Sequence, residues 1–147
     1  MKHTMRLLAV LAAGTLLALP PARAEDKPYT EGHVWVITLV KVKYGMRDVY
    51  LNEAIPLRKK VEDEAMKQGL LLSSHTLAGN PANRDDFDVV FLEEFKNWAA
   101  FDGISAKTDA IEEKIVGTQD KLNQILVKRA DIRDVLGTKA MQELLPK

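Results

Sequence analysis

From His33 to Val42 the chain reads His-Val-Trp-Val-Ile-Thr-Leu-Val-Lys-Val, a β-branched and aromatic run that predicts a strand. Trp35, Ile37 and Leu39 alternate with Val34, Val36, Val40 and Val42, so both faces are apolar and both need cover. After Tyr44-Gly45 the period changes. Met46, Tyr50, Ala54, Leu57, Val61 and Ala65 recur at helical spacing and predict a helix from Met46 to Gln68. Pro56 falls inside that stripe, where a missing amide donor predicts a kink or two abutting helices. Gly69 is placed to end the helix.

Leu70 to Ala78 predicts a second strand, Gly79 to Asp86 a polar surface loop, and Phe87 to Phe95 a third strand with Phe87, Val89, Phe91 and Phe95 on one face. Asn97 is positioned to cap a helix beginning at Trp98, which Asp102-Gly103 interrupts. A longer helical stretch carries Ile111, Ile115, Leu122, Ile125, Leu126 and Ile132, with Gly117-Thr118 as a dividing point. From Arg133 to Lys147 strand and helix patterns overlap, and an edge strand fits better. The resulting order, strand, helix, strand, strand, helix, strand, is the ferredoxin-like βαββαβ arrangement of the α+β class. Its antiparallel sheet takes helices on one face. The first strand, with Leu72, Val90 and Leu92 beside it, makes the other face apolar as well. A second copy in a two-fold dimer is the economical cover for such a face.

The N-terminus reads as an address. Lys2 and Arg6 precede an apolar run from Leu7 to Leu19, Pro20-Pro21, and Ala22-Arg23-Ala24. That is the order of a secretory signal peptide, residues 1–24, cleaved before Glu25. The run is too short for a membrane span and stops at two prolines. The expected location is the periplasm, or the exterior, with no membrane anchor once the signal is removed. Residues 25–32 are expected to form a flexible arm, and residues 33–147 a single domain.

The full chain has 21 basic and 21 acidic residues. Cleavage removes Lys2, Arg6 and Arg23 and no acid, so the remaining chain is weakly acidic. Its interspersed charges offer no footprint for nucleic acid. The absence of cysteine excludes disulfides, thiol catalysis and thiolate metal ligation.

The step Phe95-Lys-Asn97-Trp98-Ala-Ala-Phe101, the order of elements and the proline-containing first helix resemble the dimeric α+β barrel superfamily, across roughly residues 33 to 145. That group includes antibiotic-biosynthesis monooxygenases, stress-responsive barrel proteins and haem-degrading enzymes. The resemblance implies a homodimer with a ligand cleft between sheet and helices. Haem-degrading members use an asparagine, a tryptophan and a histidine downstream of it; here Asn97 and Trp98 are present and no histidine follows. No cofactor is expected, and His33 and His75 alone fall short of the three or four ligands a metal site uses, so no metal site is expected either.

The remaining candidates are sparse. His75, between Ser74 and Thr76, is a possible proton donor or acceptor near neutral pH. Trp98, Tyr44 and Tyr50 are the other weak catalytic candidates, and Trp35, His33 and Asn97 the ligand-binding ones. His33 approaches His75 only if their strands pair. Glu93 and Glu94 are adjacent in a strand, point to opposite faces and cannot act as a pair. Asp85, Asp86 and Asp88 lack the spacing of a calcium loop and read as a solvated turn. Arg58-Lys59-Lys60 reads as a charged helix face. Two functions fit. One is a non-enzymatic exported dimer binding a small apolar or aromatic ligand or a protein partner. The other is a cofactor-independent oxygenase or isomerase-like enzyme acting in the cleft.

Overall fold

The computed structural model describes residues 26–147, so the expected signal peptide lies outside the described residues. Eight elements follow one another: β1 (Tyr29–Val42), α1 (Arg47–Lys67), β2 (Ser73–Ala78), β3 (Val89–Phe95), a 3-10 turn (Trp98–Phe101), α2 (Ile104–Val116), α3 (Gln119–Ala130) and β4 (Arg133–Pro146). The strands form one sheet in the order β2-β3-β1-β4, every neighbouring pair antiparallel. This is the ferredoxin-like fold.

β1 begins four residues earlier than its pattern suggests. Tyr29, Thr30 and Glu31 pair with Pro146, Leu145 and Leu144 of β4, so residues 29–32 of the expected arm are strand instead. A long partner on one side supplies the backbone hydrogen bonds that composition does not reveal. The final stretch is indeed a strand, and a register shift between Leu39 and Val40 lets it bend beside β1.

α1 is one helix with Pro56 inside it, not two. Pro56 and Asn52, whose carbonyl the proline leaves without its amide partner, are both exposed. Water can take that carbonyl, so no buried polar group is left unpaired where the helix passes through the proline. Its end is a Schellman motif. Gly69, at φ +69°, donates to the Met66 carbonyl at 3.0 Å, and Leu70 donates to that of Ala65 at 3.0 Å. The predicted break in the later helical stretch is also present. Gly117 ends α2 at φ 107°, and the Thr118 hydroxyl accepts the Lys121 amide at 3.3 Å to open α3. Asn97 occupies the cap position of the 3-10 turn, but its side chain makes no capping bond; its backbone carbonyl accepts from Ala100 at 3.1 Å.

The helices cover the face carrying Val34, Val40, Val89, Phe91 and Phe95. Two apolar clusters lie beneath them. Val40, Val42, Tyr50, Ala54, Val89 and Phe91 form one; Val34, Ala65, Leu71, Phe95 and Ile111 form the other. α1 contributes to both, and the stretch of α1 between them carries Arg58 and Glu62. The opposite sheet face holds Trp35, Ile37, Leu39, Val90 and Leu92, flanked by Leu77 and Met141 on the outer strands. No element of the described residues covers it.

The Schellman glycine gives the fold a clean test. A Cβ at Gly69 meets nothing within 4 Å, so Gly69→Ala carries only the left-handed backbone penalty of about 1–2 kcal/mol. Gly79→Ala, equally unobstructed and without a positive φ, is expected to change stability by less than about 0.5 kcal/mol. Urea melts of the two variants compare them directly. Equal losses would show that the αL end of α1 is not what Gly69 provides.

Candidate functional site

The gap between the two core clusters is a cleft of about 410 Å³, bounded by the helix-facing side of the sheet and by α1, α2 and α3. Its walls are apolar, from Val40, Leu57, Val61, Phe91, Val116 and Leu126 among others. Polar groups enter at defined places. The Thr38 and Thr138 hydroxyls, facing each other across β1 and β4, lie 3.1 Å apart on the floor.

Arg58 reaches inward from α1. Its Nη2 donates to Glu93 Oε1 at 2.6 Å, and its Nε sits 2.5 Å from Glu62 Oε1 as an ion pair without hydrogen-bond alignment. The guanidinium also lies over the Phe91 ring, 4.1 Å from its centroid. One cation thus answers two acids. Burial pushes the Glu62 carboxyl above the ordinary carboxylate range, opposed by the Ser74 hydroxyl and Arg58. Tyr50, 2% exposed, lines the same cleft, and burial raises its phenol. The Arg133 guanidinium stands 5.6 Å from the Tyr50 ring centroid. Arg129 projects from the end of α3, where burial lowers its pKa, and its Nη2 donates to the Glu53 carbonyl at 3.1 Å.

Of the catalytic and ligand-binding candidates named from sequence, only Tyr50 lines this cleft. Tyr44 is fully exposed on the turn after β1, and Trp98 is 51% exposed and packs on Phe101 at 5.9 Å. Asn97 is exposed beside it. His75, His33 and Trp35 sit on the open sheet face, with Trp35 and His75 stacked at 6.3 Å. His33 and His75 do not come from paired strands, because β3 lies between β1 and β2. His33 instead contacts Glu94, Nδ1 to Oε1 at 2.6 Å, and the Ser73 hydroxyl donates to the other oxygen of Glu94 at 2.5 Å. Serine and histidine both bind the carboxylate and not each other, so this is no activated nucleophile. Those contacts, Ser73 first, hold the Glu94 carboxyl below its ordinary range.

Glu93 and Glu94 do take opposite faces, and Glu93 is the one in the cleft. The acids of the loop are engaged by protein groups: Asp86 accepts from the Ala82 and Phe87 amides, Asp88 from the Val42 amide of β1 at 2.9 Å, and exposed Asp85 lies 3.7 Å from Lys41 Nζ. Arg58, Glu62, Arg129 and Arg133 were not recognisable as site residues by motif. A signal existed for the first two. They follow Ala54 at four-residue steps and border the apolar stripe of α1, so they cannot both be fully solvated.

No protein-family model matches the chain, and no curated protein matches it. Among solved structures it is similar to a dimeric ferredoxin-like protein from an uncultured marine organism, at 15% sequence identity and a TM-score of 0.46, with 79% of this chain and 96% of that chain covered.

Glu62 sets a pH signature for the cleft. Because its folded carboxyl holds a proton more tightly than the unfolded one, its contribution is fully present below its ordinary value of 4.5 and is lost as pH rises through the raised folded value. Glu94 acts in the opposite sense, since its lowered carboxyl adds stability above 4.5 that is lost on acidification. Chemical denaturation of wild type and Glu62→Gln across pH 4.5 to 7 separates them. The variant is expected to lose less stability than wild type as pH rises through that window; parallel curves would show that Glu62 titrates normally.

Proposed function

We propose that this is an exported domain of the dimeric α+β barrel type that pairs with itself through the open sheet face and holds a small apolar or aromatic molecule in the cleft of each copy. The observation that carries the binding reading is the cleft itself. A space of about 410 Å³ walled by aliphatic and aromatic side chains, with a few convergent polar groups, has the size and character of a small-molecule site.

Self-pairing is supported by the open face. Ile37, Leu39, Val90 and Leu92 form its centre, and water contact with so many apolar side chains is unfavourable by about 25 cal/mol for each Å² left uncovered. Lys139 and Glu94 lie on the same face, so it carries charges of both signs and does not repel a copy of itself. A two-fold interface needs only one such patch, used twice. The catalytic alternative has less to stand on, because His75, Trp98 and Tyr44 share no space with Tyr50.

Sedimentation velocity at micromolar concentration is expected to give a dimer, and Ile37→Asp, which puts a charge at the centre of the open face, is expected to give a folded monomer. A wild-type monomer at that concentration would remove the pairing. Export has a separate check. Protein recovered from the periplasm of its host should begin at Glu25; an intact N-terminus on the recovered chain would overturn the signal assignment. Native mass spectrometry of that same protein reports any retained small molecule.

A further inference from the structure

We propose that the molecule bound in the cleft carries a carboxylate, an aryl- or alkyl-carboxylic acid of small size, and that Arg129 and Arg133 receive its acidic group. This rests on the binding reading above and narrows its chemistry.

The cleft contains three arginines, and they are not equivalent. Arg58 is answered within the protein by Glu62 and Glu93. Arg129 and Arg133, at the end where α3 meets β4, are not. Among the described residues neither has a carboxylate at ion-pair distance, and the Nε of each is buried without a hydrogen-bond partner. Arg129 spends one Nη donor on the backbone carbonyl of Glu53, while the Glu53 carboxylate is held by Lys128 at 2.9 Å. Among the described residues the Arg133 guanidinium has the face of Tyr50, 5.6 Å from its ring centroid, and no ion-pair partner. Glu112 also lines the cleft, where burial and then Asp109 raise its pKa, but among the described residues it makes no ion pair with either arginine.

Two half-buried guanidiniums, each with an Nε buried and unpaired and no carboxylate at ion-pair distance, are stabilised by an anion that reaches them. The planar donor fork of arginine matches the two oxygens of a carboxylate, and a charge-assisted pair is stronger than a neutral one. The surface around this end is not polar. Val116, Leu122, Leu126 and Val135 surround it, so a fully hydrated inorganic anion finds little to replace its water. An acid with an apolar body satisfies both parts. The acidic group meets the arginines and the body lies against the aliphatic wall.

Phenylacetate and its uncharged isostere phenylacetamide are the probes, titrated calorimetrically against the wild-type protein, Arg133→Met and Arg129→Met at neutral pH. Wild type is expected to bind phenylacetate about tenfold or more tightly than the amide, the scale of one charge-assisted hydrogen bond. Either substitution is expected to weaken phenylacetate about tenfold more than the amide, so that the preference is lost. Should Arg133→Met fail to fold, Arg129→Met reads the same split. Equal affinity of the two probes for wild type would overturn carboxylate selection and leave cleft binding standing. A preference that survives both substitutions would place the anion elsewhere and overturn the assignment. Binding of neither probe would overturn this inference, and an empty chain by native mass spectrometry would then take the binding reading with it.

Discussion

A strand with apolar side chains on both faces gains from cover over each of them, and β1 is that strand. It sits inside the sheet with β3 on one side and β4 on the other, so its backbone is satisfied laterally and its side chains decide the rest. Val34 and Val40 draw the helices down onto one face. Trp35, Ile37 and Leu39 leave an equal demand on the other. Layering, cleft and open face all follow from how that double requirement is met.

The helix layer meets it unevenly. α1 lies across the sheet and packs at both ends, through Tyr50 and Ala54 at one and Ala65 at the other. In between, Arg58 and Glu62 occupy inward-bordering positions where aliphatic side chains would have closed the core. Charged groups there resist complete dehydration. The result is a core in two lobes with a lined space between them, held open by side chains that are ion-paired with each other. Floor residues reinforce this, since Thr38 and Thr138 satisfy one another and project little bulk.

Much of the scaffold was legible in the sequence because it depends on local chemistry. The period-two run at β1, the period-four stripe of α1, Gly69, Gly117-Thr118 and the loop at Gly79 each act within a few residues. Errors arose where a distant partner decides the outcome. Residues 29–32 are polar and become strand only because β4 is long enough to pair with them. α1 survives Pro56 because the residue falls on the solvent side, which a spacing argument alone does not weigh. Less of the site was legible, for the same reason. Arg129 and Arg133 come from different elements and meet at a corner that no linear motif encodes, whereas Tyr44, Trp98 and the histidines attracted notice by residue type and lie apart from the cleft.

The adjacent pair Glu93 and Glu94 has a consequence for how the sheet assembles. Each acid has its own partners on its own side of the sheet, a guanidinium donor above and an imidazole with a hydroxyl donor below. If β3 joined β1 one residue out of step, its phenylalanines would turn outward, Glu93 would lose the Arg58 guanidinium and Glu94 the His33 imidazole. Mispaired intermediates are therefore penalised by electrostatics as well as by exposed rings, and β3 proofreads its own alignment as it docks.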